Sequence, residues 1–216
     1  MGKPEIIGSL RSTYTRVVCM ACEEKGIEYV LTETLLGSSE LFAVHPFGKM
    51  PLLRHGDFEL YESKAIATYL DRSFPGPQLI PSDPRLAGVV EQWVSLVNTV
   101  MDVTLTRTYL LAYAAPKTTD GKPDRKAIEA VVPAVRQQIG ILNEAVAETG
   151  HLAGDQFTLA DINLLPILYW VRQLPEGADA FAAAPHLAAY YERHATRPSF
   201  KATTPPSGPP SRAKPS

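Results

Sequence analysis

Two cysteines with the spacing of a redox pair lie near the N-terminus. Cys19 and Cys22 form a C-x-x-C sequence inside the stretch from Gly8 to Gly26, a spacing typical of redox-active thiols when it follows a strand. A reactive cysteine of this kind sits in the first turn of its helix, where unpaired N–H groups stabilise the thiolate. The strand-like sequence ends near Gly8, so Cys19 falls in the second or third turn. We therefore interpret both cysteines as small packing side chains.

Ser12 is better placed for chemistry because it precedes that helix. The strand has ended and the helix begins, so the serine oxygen and the first backbone N–H groups can converge on an anion. A serine at this position is also the ordinary N-cap of a helix. The position alone leaves both roles open.

A proline marks the start of the third predicted strand. Phe47-Gly48-Lys49-Met50-Pro51 leads from a loop into that strand. A cis Met50–Pro51 bond would turn the backbone N–H and C=O of Met50 outward, where they could pair with an extended peptide. A trans proline that opens a strand is the alternative, and the spacing alone favours it.

Glu62 and Ser63 lie where the fourth strand gives way to a helix. The hydroxyl and N–H of Ser63 can hold a carboxylate at the helix N-terminus, and Glu62 can meet an ammonium group. One α-amino-acid head group carries both charges. Helix capping alone would explain the same two residues.

The elements that must position these groups alternate between strand and helix patterns in the N-terminal part of the chain. Short β-branched and aromatic runs predict strands, and apolar residues at steps of three and four predict helices. The order β-α-β, then β-β-α, predicts an α+β domain of the thioredoxin-like kind, with a mixed sheet. The predicted elements are strand 5–8, helix 13–25, strand 27–32, strands 51–54 and 58–61, and helix 62–74.

The rest of the chain contains helix patterns and no convincing strand. Turn-forming residues mark a linker, and Thr158 with Asp161 has the spacing of a capping box before an apolar helix. A Pro- and Ser-rich end can bury little. We predict a thioredoxin-like domain over 1–81, a linker over 82–88, an all-α domain over 89–202 and a tail over 203–216.

The composition excludes several classes of partner. The chain has 216 residues, of which 45% are hydrophobic, and a net charge of -2. We expect no nucleic-acid or membrane partner, because both are held mainly by excess Lys and Arg. No apolar run reaches the roughly 18 residues of a membrane span. Two cysteines rule out a disulfide framework. We predict a cytoplasmic protein that carries no metal.

Taken together, these motifs resemble those of the cytosolic glutathione S-transferases, and most closely those of the phi class. The resemblance extends over residues 5–200 and is specific in combination. The matching stretches are STYTRV at 12–17, PFGKMP at 46–51, GDFELYESKAI at 56–66 and LADINLLP at 159–166.

The resemblance implies an enzyme that adds glutathione, as co-substrate, to an electrophilic small molecule. It implies that Ser12 donates a hydrogen bond to the glutathione sulfur and that Met50, before a cis Pro51, pairs with the cysteinyl part. Glu62 and Ser63 would bind the γ-glutamyl head, and Lys49 would assist a carboxylate. The basic residues that the phi class carries after its second strand are absent from residues 36–40.

The resemblance also implies a homodimer. Phe47 matches an aromatic residue that inserts into the partner subunit in several classes, although burial under its own loop would explain it equally well. The electrophile pocket would lie against the helical domain. The residues expected on its walls are Leu10, Tyr14, Met101, Tyr109 and Tyr113.

Two other functions stay open at this level. A glutathione-dependent isomerase of the zeta type would use the same thiol chemistry, but such enzymes have a cysteine at the start of the first helix, where this chain has Ser12-Thr13-Tyr14-Thr15. A non-catalytic binding module with the same fold is the other alternative. The presence of Ser12, Glu62 and Ser63 at the positions of the family motif argues against a non-catalytic module.

Overall fold

The computed structural model describes residues 2–115 and 118–206 and contains one four-stranded sheet. The strand order is β2-β1-β3-β4; β1 runs parallel to β2 and antiparallel to β3. The mixed sheet confirms the thioredoxin-like prediction. The strands are β1 (Glu5–Gly8), β2 (Val30–Glu33), β3 (Leu52–His55) and β4 (Phe58–Tyr61).

Three helices accompany the sheet: α1 (Thr13–Lys25), α2 (Ser39–Val44) and α3 (Ser63–Ser73). Helix α1 ends at Gly26, whose φ of 67° is the left-handed conformation that glycine adopts without strain. Helix α2 was not predicted, because six residues are too few to show a helical period.

The described remainder of the chain is helical, as expected. The first long stretch begins as an α-helix and continues as a π-helix, in which backbone N–H groups bond to the carbonyl five residues earlier. We call residues Val97–Leu110 the π segment. The α-helices are α4 (Pro84–Leu96), α5 (Leu111–Ala114), α6 (Arg125–Ala145), α7 (Leu159–Val171), α8 (Pro175–Ala182), α9 (Pro185–Ala195) and α10 (Pro198–Ala202).

Helix α7 is the centre of this helical layer, as its apolar sequence indicated. Eleven of its thirteen residues are buried. The capping box is present, because the Thr158 side chain accepts the backbone N–H of Asp161 and the Asp161 side chain accepts the N–H of Thr158 at 2.9 Å. Buried Asp161 also accepts hydrogen bonds from Leu152 and Tyr190, which join α7 to its surroundings.

The predicted segments at the domain ends differ from the observed elements. Residues 84–88 of the predicted linker belong to α4, since Asp83 caps that helix and Pro84 occupies its first turn. Thr203, at the start of the predicted tail, is buried and donates to the carbonyl of Ser199. The tail residues 207–216 lie outside the described residues. No helix in the described ranges is long and apolar enough to cross a membrane.

A buried ion pair joins the sheet domain to the segment that leads into α4. Lys25 Nζ and Asp71 Oδ1 are 3.0 Å apart, and their side chains are 1% and 5% exposed. Asp71 also accepts the backbone N–H groups of Leu79 and Ile80. One carboxylate therefore holds a helix and a connecting segment together.

We expect Asp71→Asn to lower the free energy of unfolding by roughly 3–5 kcal/mol, because it leaves the Lys25 ammonium buried without a counter-charge. The half-exposed pair of Lys64 and Glu91 provides a control: Glu91→Gln should cost less than about 1 kcal/mol. Chemical denaturation of the two variants measures the difference. Similar losses in both would contradict a structural role for the buried pair.

Candidate active site

The residues singled out at the ends of three different strands line two cavities that share part of their walls. The smaller cavity has a volume of about 250 Å³ and the larger about 660 Å³. Lys49, Met50, Tyr14 and Arg107 line both cavities. Pro51, Glu62 and Ser63 line the smaller cavity, and Ser12 lines the larger.

Ser12 is the N-cap of α1, with extended backbone angles and its Oγ accepting the N–H of Thr15 at 3.3 Å. A serine hydroxyl has one donor hydrogen and two acceptor lone pairs, so this cap leaves the O–H available to donate. The first turn of α1 contains no acidic residue, and its positive dipole end is therefore not neutralised locally. Capping and anion binding are compatible roles for Ser12.

The loop before β3 brings Lys49 and Met50 to the cavity walls. The Met50–Pro51 peptide bond is cis, so the trans proline that the spacing favoured is wrong. Gly48 has a φ of 57°, and a Cβ at this position would lie 2.7 Å from the ring of Phe42. The loop therefore requires glycine immediately before Lys49.

Glu62 has an uncommon backbone conformation at the start of α3. Its φ of 70° is positive, which is rare for a residue other than glycine and recurs at binding sites. Its carboxylate makes no capping hydrogen bond and is 70% exposed, 3.7 Å from the imidazole of His45. Helix capping therefore does not account for Glu62. Ser63 beside it is buried in the cavity wall.

The expected walls of the electrophile pocket are only partly observed. Tyr14 lines both cavities, whereas Met101 and Tyr109 are at most 1% exposed and belong to the helical core. Tyr113 donates a hydrogen bond to Glu176, and Leu10 packs against the apolar cluster beside the sheet. None of these four is among the described residues that line the larger cavity.

Two of these four residues, Met101 and Tyr109, lie in the π segment. Its wider winding changes which residues share a face. The observed wall on this segment includes Asp102, Thr106, Arg107 and Leu110. Trp170 of α7 also lines the larger cavity but was not predicted there. The sequence of α7 is apolar on all sides, so it does not indicate which side of the helix faces a cavity.

The two cysteines are fully buried, which confirms their interpretation as packing residues. Both pack in the apolar cluster between α1 and the sheet. Burial raises the pKa of Cys19 to about 12, and burial together with the neighbouring Cys19 raises the pKa of Cys22. Neither supplies a thiolate at neutral pH. In the part of the chain that is described, no three metal-ligating side chains are grouped to hold an ion.

We expect iodoacetamide to modify Cys19 and Cys22 of the native protein at least about 100-fold more slowly than a free thiol, because burial and the raised pKa both suppress the thiolate. Mass spectrometry of samples taken over time measures the rate. Urea-unfolded protein is the control and should react at the free-thiol rate. Rapid modification of the native protein without unfolding would show that the thiols are accessible.

Comparison with known proteins agrees with the observed fold. Residues 6–78 match the family model "Glutathione S-transferase, N-terminal domain", and residues 100–198 match "Glutathione S-transferase, C-terminal domain". Glutathione S-transferase 3 of Zea mays is 30% identical over 195 residues, which cover 86% of this chain and 86% of that protein.

Solved structures give the same result. The crystal structure of glutathione transferase F7 from Populus trichocarpa has a TM-score of 0.84 and 26% identity, covering 93% of this chain and 97% of that one. A glutathione S-transferase of Methylobacillus flagellatus with glutathione bound has a TM-score of 0.80 and 27% identity, covering 94% and 100%.

A thioredoxin-like domain followed by a helical domain, with cavities lined by both, is the architecture of a glutathione transferase. The family models and the maize relative place the sequence in the same class. The chain belongs to the glutathione S-transferase family, is of the phi type and is an enzyme of the transferase class. The family, fold class and enzyme class expected from the sequence are confirmed.

Proposed function

We propose that this enzyme binds glutathione in the smaller cavity, ionises its thiol with Ser12 and adds the sulfur to an electrophile in the larger cavity. The position of Ser12 carries the proposal. Its hydroxyl lies at the start of α1, on the wall of a cavity that shares Lys49 and Met50 with the smaller one. The thiol proton leaves to solvent, the sulfur bonds to the electrophilic carbon, and a leaving group departs or an adduct is protonated.

The energetic demand on Ser12 is modest. A thiol with a pKa near 8.5 is only about 3% ionised at pH 7. Lowering that pKa by about two units makes most of it thiolate and requires about 2.7 kcal/mol of differential stabilisation. One hydrogen bond to a charged acceptor contributes roughly 1.5–3 kcal/mol, and the N-terminal dipole of α1 adds roughly 0.3–1 kcal/mol. Together these contributions match the requirement.

The smaller cavity offers complementary groups for the rest of the tripeptide. Exposed Glu62 faces the α-ammonium of the γ-glutamyl head, and Ser63 at the N-terminus of α3 meets its carboxylate. The backbone of Met50 pairs with the cysteinyl part, and Lys49 contributes a positive charge toward a carboxylate. The glutathione-bound relative from Methylobacillus flagellatus supports glutathione as the ligand.

The buried cysteines argue for transfer over isomerisation of the zeta type. The residues that begin α1 contain hydroxyls and no thiol, and Cys19 and Cys22 face the core. These reduced thiols suit a cytoplasmic location, which we also propose. The larger cavity includes apolar side chains such as Leu35, Leu110 and Trp170, which fits an electrophile with a small apolar body.

We expect Ser12→Ala to reduce kcat with 1-chloro-2,4-dinitrobenzene by about 100-fold and to raise the pKa of bound glutathione by about two units, because the thiolate loses its hydrogen bond. Thiolate absorbance at 240 nm, titrated against pH with bound glutathione, measures the pKa. The KM for glutathione should change much less.

Ser63→Ala provides the matched control for this experiment. It removes a hydroxyl from the same cavity system, so it should raise the KM for glutathione while leaving the thiolate pKa near the wild-type value. If Ser12→Ala kept wild-type turnover and thiolate pKa, Ser12 would not be the activating group.

We propose that the protein is a homodimer in which Phe47 inserts into the partner subunit. The Phe47 side chain is 73% exposed, so burial under its own loop does not account for it. The N–H of Phe47 donates to His45 Nδ1 at 2.9 Å, which holds the loop that presents the ring. An exposed aromatic ring on an ordered loop is typical of an interface anchor.

We expect Phe47→Ser to weaken dimerisation by at least about tenfold in Kd, because interface anchors contribute 2 kcal/mol or more. Sedimentation velocity over a concentration series measures the effect. Phe58→Ser is the control, since Phe58 is also exposed but packs beside Tyr69 on the sheet edge. Equal behaviour of both variants would contradict the anchor role, and a monomeric wild type would contradict the dimer.

A further inference from the structure

The larger cavity contains a charged pair that the glutathione chemistry described above does not use. Arg107 Nε donates to Asp102 Oδ2 at 2.6 Å. The Asp102 side chain is 1% exposed, whereas that of Arg107 is 53% exposed. Asp102 therefore fixes one edge of the guanidinium from within the protein, while about half of the Arg107 side chain stays exposed on the cavity wall.

The pair depends on the winding of the π segment. In an α-helix, residues five apart point to different sides, and an ion pair between them is not favoured. Here the backbone N–H of Leu111 bonds to the carbonyl of Thr106, five residues earlier. This spacing brings Asp102 and Arg107 to one face. Extended π-helical winding is uncommon and is frequently found at functional sites.

The charged side chains that line the larger cavity beside Arg107 are mainly positive. Arg11 and Lys49 also line the larger cavity, and Asp102 is the one carboxylate among its described lining residues. Apolar walls from Leu110 and Trp170 complete the space. An occupant with a flat apolar body and one negative charge complements this cavity better than a neutral or cationic one does.

We propose that Arg107 is a specificity-determining residue that binds a carboxylate or sulfonate group on the electrophile. This inference rests on the proposed conjugation to glutathione and names the class of electrophile. The guanidinium fork matches the two oxygens of a carboxylate, and Asp102 holds that fork in a fixed direction. The enzyme therefore selects anionic electrophiles over neutral ones of the same shape.

A role toward glutathione itself is the competing explanation, because Arg107 also lines the smaller cavity. Two observations favour the electrophile. Asp102, which holds Arg107, lines the larger cavity, as do Thr106 and Leu110 of the same segment. The smaller cavity already has the positive charge of Lys49 for a glutathione carboxylate.

The test compares two aryl halides of similar shape, neutral 1-chloro-2,4-dinitrobenzene and anionic 4-chloro-3,5-dinitrobenzoate. For Arg107→Gln, the ratio of kcat/KM for the anionic halide to kcat/KM for the neutral halide should fall about tenfold or more, since a charge-assisted hydrogen bond is lost. Arg107→Lys keeps the charge without the fork and should give an intermediate ratio. Arg172→Gln, at a surface ion pair with Glu192, should leave the ratio unchanged.

Equal loss on both halides, or a raised KM for glutathione in Arg107→Gln, would overturn the proposal. Arg107→Gln leaves the Asp102 carboxylate buried without its counter-charge. If this single variant unfolds, the double variant Asp102→Asn/Arg107→Gln replaces it in the same comparison. Binding of unreactive 3,5-dinitrobenzoate and 1,3-dinitrobenzene, followed by protein fluorescence, separates this proposal from the conjugation reaction. If the wild-type protein conjugates neither halide but binds 3,5-dinitrobenzoate more tightly than 1,3-dinitrobenzene through Arg107, only the proposed reaction is contradicted. If it conjugates both halides with equal kcat/KM, only the role of Arg107 is contradicted.

Discussion

The packing of α1 against the helical layer is the contact on which the site depends. Arg16 of α1 is fully buried, and its guanidinium carbon lies 4.7 Å from the ring centres of both Tyr169 and Phe200. Its guanidinium nitrogens have no hydrogen-bond partner within residues 2–115 and 118–206, and burial lowers its pKa to about 10. Two desolvated cation–π contacts, each worth about 2 kcal/mol, offset part of the cost of burying this charge.

This contact sets the position of the Ser12 hydroxyl. The N–H of Arg16 bonds to the carbonyl of Ser12 at 3.1 Å, so the two residues are one helical turn apart. Helix α1 is buried on two sides, with Val17 and Met20 in the helical core and Val18 and Cys19 against the sheet. A helix fixed on both sides cannot rotate without displacing its N-cap. The direction of the Ser12 hydroxyl is therefore a consequence of packing between the two domains.

The features that could be predicted from the sequence are those set by local chemistry. The start of α1 at Ser12 and its end at Gly26 follow from capping preferences, and the βαβ-ββα order follows from periodicity. Spacing alone predicted neither the cis bond at Pro51 nor the positive φ of Glu62, and only the family resemblance implied the cis bond. Met50 precedes β3, and Glu62 and Ser63 follow β4. These residues could be expected at one cavity only because β3 and β4 are antiparallel neighbours in the predicted sheet.

The wall of the larger cavity was the least predictable part for a related reason. The resemblance implied Met101 and Tyr109 on a pocket wall, whereas in the structure both lie in the helical core and the π segment presents Asp102 and Arg107 to the cavity. Wider winding is less favourable for the backbone than regular α-helix and persists where surrounding structure supports it. Buried Asp102 requires a counter-charge, and in this winding Arg107 Nε lies 2.6 Å from its carboxylate. The ion pair and the irregular helix thus stabilise each other, and together they determine the chemistry of the pocket wall.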